Sequence, residues 1–183
     1  MKRQLNENID VLQQGSRLLH RIDDVLYRQR SSAVLAGSIG AHVRHNLDFY
    51  ASLLDGLITG SIDYDARKSD AAIETGRQAA AVEIERICRE LASVSVVPAC
   101  LRVHVRSDGD SADAWATTSL SRELDFLLSH TIHHHAIVAI MCRLAGVHVE
   151  DDFGVAPPTL RYWASLRLDE AQPTLPQPRR ERQ

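Results

Sequence analysis

The strongest constraint in this sequence is a helical repeat of apolar residues carried on several long segments. From Val34 to Ile58, the residues Ile39, Val43, Leu47, Tyr50, Leu54 and Leu57 fall on one stripe at intervals of three, four or seven. Gly60 follows as a C-cap. From Leu124 to Leu144 the same period recurs, with Ser119 or Ser121 able to cap the start and Gly146 to end the run. Ile9, Leu12, Leu19, Ile22 and Leu26 predict a further helix ending near Arg30. Ala71 to Leu91, rich in Ala, Glu, Ile and Arg, predicts another. Between Val94 and Thr118 the pattern loosens toward alternation around Pro98 and the turn signal Ser107-Asp108-Gly109-Asp110, which predicts a short β-hairpin. Beyond it, Thr159 to Leu168 has room for one short helix before prolines dominate. The expected fold is an all-α four-helix bundle over residues 1–170, with a hairpin before the last long helix and a Pro/Arg-rich tail over 171–183.

Composition narrows the function. With 21 Lys+Arg against 24 Asp+Glu, the net charge of -3 removes the electrostatic footprint of a nucleic-acid binder. The basic end Arg179-Arg180-Glu181-Arg182 reads as a solvated tail. Cys88, Cys100 and Cys142 are odd in number and far apart, so reduced structural thiols are expected. No stretch approaches about 18 uninterrupted apolar residues, so a membrane partner is not expected and a cytoplasmic protein is.

The chemistry-bearing residues are histidines. Nine occur, and His42, His45, His130, His133, His134 and His135 fall in two clusters on predicted helices. At about 100° per residue, His130 and His134 sit within the apolar stripe of their helix, one turn apart, so both rings can reach one metal ion. His133 and His135 project to either side and read as border or supporting residues. Burying two imidazoles without a ligand would cost roughly 1–3 kcal/mol each in unmatched polar groups, and a metal satisfies one nitrogen on each ring. The early helix has to supply the third nitrogen. Its periodicity slightly prefers His42, while Phe49, Leu53 and Gly56 extend the buried sector toward His45, so the choice stays open on this ground.

Taken together, Ile39-Gly40-Ala41-His42-Val43-Arg44-His45-Asn46-Leu47-Asp48 and Ser129-His130-Thr131-Ile132-His133-His134 resemble the motifs of the DinB/YfiT-like superfamily, and the resemblance covers nearly the whole chain. It implies a four-helix bundle in which a divalent metal is held by one His of the second helix, in an I-G-x(4)-H-x-x-D-like context, and two of a later H-x-x-H-H segment. The matching positions are His45, His130 and His134. The resemblance selects His45 over His42 because Asp48 stands three residues on; Asp48 itself is expected to face solvent beside Arg44. His135-Ala136-Ile137 replaces the common His-Arg-Gly-Gln ending, so substrate contacts carried by that ending do not transfer.

Three neutral nitrogen ligands leave open positions, as catalytic sites require. The resemblance implies a thiol-dependent transferase or isomerase acting on a small molecule, with a low-molecular-weight thiol as partner. The metal is expected to be zinc, nickel or iron, since imidazoles suit all three. In the loop Asp63-Tyr64-Asp65-Ala66-Arg67, Tyr64 and Arg67 are candidates for substrate contact, against a simple solvated connection. Glu123 and Asp125 are expected to serve the positive end of the helix dipole. The alternatives are a non-catalytic or stress-associated metal-binding protein and a helical module acting as a homodimer.

Overall fold

The computed structural model describes residues 1–31, 34, 37–67, 69–95, 101–104 and 115–171, the last five of these by backbone alone. The Ser107–Asp110 turn, Pro98, Cys100 and the tail from 172 onward lie outside the described residues.

Seven helices and a three-stranded sheet make up the described chain. The first predicted helix is two: α1 (Lys2–Arg21) and α2 (Asp24–Arg28). The apolar period runs through the junction, but Asp23 adopts an extended backbone and its carboxylate accepts from the Leu26 N–H at 2.8 Å, starting a new helix. α3 (Ile39–Thr59) is capped by the Ser38 hydroxyl and ends at Gly60, whose φ of 78° is the left-handed conformation glycine reaches without strain. The third predicted helix is also divided, into α4 (Ala71–Thr75) and α5 (Arg77–Ser93), with Gly76 leaving helical geometry between them. α6 (Leu120–Leu144) starts on a Ser119 cap, and α7 (Pro157–Ala171) opens with proline, which needs no hydrogen-bond acceptor in a first turn.

The hairpin pairs β2 (Leu101–His104) antiparallel to β3 (Trp115–Thr118). The periodicity did not predict its third strand, β1 (Ser61–Ile62), which runs parallel to β2 directly after the Gly60 turn. Ile62 is fully buried against Gly56, where a Cβ would overlap its side chain.

α1 packs on α5 and α6, and α3 packs on the same two helices. Leu12, Leu19, Leu47, Leu53, Ile87, Leu91, Leu124 and Leu127 fill the space between them. A buried polar chain fixes the rotation of three of these helices. Asn8 of α1 donates to the Leu124 carbonyl at 3.1 Å and accepts from Tyr50 of α3 at 2.7 Å. The Tyr50 hydroxyl meets Thr131 of α6 at 3.2 Å, and Thr131 donates to the Leu127 carbonyl. Leaving one of these groups unpaired would cost about 1–3 kcal/mol, so the network holds α3 and α6 in register just where their histidines stand. No helix among the described residues is long and apolar enough to cross a membrane.

Candidate metal centre

α3 and α6 bring His45, His130 and His134 together, with one ring nitrogen from each lying within 4.8 Å of the other two. Ring centroids are 5.1 Å apart for His45 and His130, 4.8 Å for His45 and His134, and 4.6 Å for His130 and His134. His45 and His130 are half-buried, and His134 is the most enclosed of the three. The last pair is the i, i+4 spacing of α6; the first two exist because α3 crosses that face of α6.

Electrostatics keep these rings neutral, the state that binds metal. Burial first, then the neighbouring His130, Arg67, Arg44 and His42, lowers the His45 pKa to about 4. Burial and then His130, His45, His42 and His133 bring His134 to about 3. His130 is lowered by burial, then by His133 and Arg67. Its Nε2 is buried without a hydrogen-bond partner. A compact set of three neutral imidazoles with an unsatisfied buried nitrogen fits a borderline-soft divalent ion such as zinc.

His42 stands beside this set. Its Nδ1 is 2.9 Å from Nδ1 of His134, and its Nε2 is buried without a partner. His133 is exposed, at the edge where its helical position puts it. His135 is not a border residue. It is buried, stacked on Phe153 at 4.5 Å with rings 12° from parallel, and faces the bundle interior near Gly15.

Aromatic rings wall the site on one side. Phe49 lies one turn after His45 and contacts it at 5.0 Å, His130 at 4.5 Å and Tyr64 in a stacked pair at 5.0 Å. Phe126, one turn before His130, closes the wall at 5.7 Å from that ring. The loop after β1 brings two further residues here. The Asp63 carboxylate accepts the backbone N–H groups of Asp65 and Ala66 at 2.8 and 3.0 Å, and this turn sets Tyr64 and Arg67 against Phe49. The Arg67 guanidinium lies over the Phe49 ring, 4.3 Å from its centroid, and donates to the Tyr64 carbonyl. Both residues are therefore at the site rather than in a plain solvated connection.

No family model matches this chain, and no solved structure matches it. Over 105 residues it is 30% identical to a protein of Rhizopus delemar (strain RA 99-880) named FK506-binding protein 5, a stretch covering 55% of this chain and 27% of that protein. The chain thus spans about a quarter of the length of the curated relative it matches. Nothing of that protein's activity carries over on so short a share.

Asp48 departs from expectation, and Glu123 has partners the sequence did not show. Asp48 does not face solvent: it is 5% exposed and bonds Arg44 at 2.6 Å, because α4 and its approach cover that side of α3 and Arg44 also reaches Glu74 at 2.9 Å and Ser69 at 2.8 Å. Burial raises the Asp48 pKa, with Arg44 opposing the shift. Glu123 stands in the first turn of α6, at the positive end of its dipole. It is fully buried and accepts from the Tyr64 hydroxyl at 2.9 Å, from Thr118 and from Arg122 at 3.2 Å. Asp125 instead accepts from Gln4 at 2.8 Å. Burial also moves the thiol pKa values of Cys88 and Cys142 up to about 11, so neither is a ready nucleophile.

Proposed function

We propose that this chain is a cytoplasmic metal-dependent enzyme of the DinB/YfiT-like kind, a four-helix bundle of α1, α3, α5 and α6 in which His45, His130 and His134 hold one zinc, nickel or iron ion. Its reaction is a thiol-dependent transfer or isomerisation of a small molecule. The observation that carries this reading is the convergence of three neutral imidazoles from two helices, one with a buried unsatisfied nitrogen. The packing of α1 and α3 each on both α5 and α6 supports the bundle.

A divalent ion held this way supplies Lewis acidity that lowers the pKa of a bound thiol or water. Phe49, Phe126 and Tyr64 keep water from one side of the reacting atoms. Arg67 offers hydrogen-bond donors at the end of that wall. With both described cysteines held as thiols, the nucleophile is the partner thiol and not the protein.

The test is conjugation of small thiols to small electrophiles by metal-free, zinc-, nickel- and iron-loaded protein. Turnover that needs the ion and disappears in His45→Ala supports the enzyme. Stable metal uptake with no turnover for any thiol returns the site to a non-catalytic metal-binding protein. Chelation that unfolds the helices would make the metal structural. The apolar core between the four helices predicts that they survive it.

A further inference from the structure

We infer that Arg67 forms a subsite for a carboxylate, so that the small molecule taken by this site is an anion whose charged end docks on the guanidinium about one aromatic ring away from the three histidines. The inference rests on the metal-site reading and names the substrate class for it.

Arg67 is half-buried and lies over Phe49, the ring that also touches His45 and His130. Its described hydrogen bond goes to the Tyr64 carbonyl; Asp48, ion-paired with Arg44, feels its charge, but none of the ion pairs among the described residues includes Arg67. Other arginines nearby are committed: Arg44 to Asp48 and Glu74, and Arg122 to Glu123. With one donor given to the Tyr64 carbonyl, the guanidinium has further N–H groups to offer, and its planar fork matches a carboxylate in a way a lysine ammonium does not. The charge balance points the same way. The three histidines bring no negative charge to a divalent ion, and Asp48, the carboxylate nearest in sequence to His45, is already neutralised by Arg44. A site with a cation at each end of one aromatic wall selects a ligand with an anionic end for each. A thiol that gives up its proton to buffer at the metal, and a carboxylate on Arg67, meet that requirement.

The experiment uses the full chain loaded with cobalt(II), whose visible bands report both the site and thiol binding. It is titrated with 3-mercaptopropionate, 2-mercaptoethanol and cysteamine, which differ in carrying a carboxylate, a hydroxyl or an ammonium. The expected order of affinity follows that sequence, with 3-mercaptopropionate at least about tenfold tighter than 2-mercaptoethanol. Arg67→Gln removes the tenfold step while leaving the thiol-free cobalt bands unchanged, and Arg67→Lys retains part of it. Equal affinities in the wild type overturn the proposal, as does cysteamine binding as tightly as the hydroxyl thiol, and neither result needs a variant. A preference that survives in Arg67→Gln assigns the carboxylate to the metal and also overturns it. Cobalt bands that never form would defeat the metal site itself, and the carboxylate subsite with it.

Discussion

The Nδ1 atoms of His42 and His134 lie 2.9 Å apart, one turn of α3 below His45, so His134 has its second nitrogen left to face the other two rings. One of the two Nδ1 atoms has to carry the proton. A metal-bound imidazole donates its other N–H to an acceptor that fixes its tautomer and plane, and neutral His42 provides that acceptor. Replacing it with His42→Leu is expected to weaken zinc affinity about 10- to 100-fold. His42→Gln, whose amide oxygen can accept the same proton, recovers part of the loss. Competition against a chromogenic chelator measures both. Unchanged affinity in His42→Leu removes the supporting role, and a loss as complete as that of His45→Ala would make His42 a ligand.

His135 gives the metal-free protein an acid limit. Burial lowers its pKa to about 4 against an unfolded value of 6.5, so the fold holds it neutral. A lowered histidine pKa stabilises the fold above pH 6.5, and that stability is lost as pH falls from 6.5 toward 4. At pH 5.5 this one residue is expected to remove about 1.4 kcal/mol. His42, His45, His130 and His134 are shifted in the same direction and add to the loss. Urea unfolding of chelator-treated protein at pH 7.5, 6.5 and 5.5 checks it. A flat profile would mean that these rings charge without cost in the folded state.

The bond between Tyr64 and Glu123 fastens the loop after β1 to α6. Tyr64→Phe leaves a fully buried carboxylate with one donor fewer and is expected to cost about 1–3 kcal/mol in unfolding free energy. Metal stoichiometry should not change, because Tyr64 is outside the group of three imidazoles. Urea denaturation and metal analysis of the same preparation separate the two effects. Loss of metal in Tyr64→Phe would place the loop inside the coordination site.

The apolar period marked the long helices and the face of α6 that carries His130 and His134, because burial on one side of a helix is written every three to four residues. It passed over the breaks at Asp23 and Gly76, where a side-chain cap and a flexible backbone outweigh an unbroken apolar pattern. β1 is two residues long and has no periodicity to detect. Asp48 read as a surface group, and the burial of Glu123 went unseen, because the partners that allow it, Glu74 and Ser69 around Arg44 and Tyr64 on its loop, come from other elements. The aromatic wall was hidden for the same reason, although Phe49 and Phe126 each stand four residues from a histidine of the cluster. Gly40 of the Ile39-Gly40 pair gains a structural explanation: a Cβ there would strike the Glu74 carbonyl and the Tyr27 ring, so only glycine lets α3 approach α4 this closely.

The most direct test of the account is elemental analysis of purified, untagged protein beside His45→Ala, His130→Ala, His134→Ala and His133→Ala. The account predicts close to one divalent metal per chain, absent from the first three variants and reduced less in His133→Ala, whose ring is exposed. No metal in the wild type, or equal loss in all four variants, would contradict it.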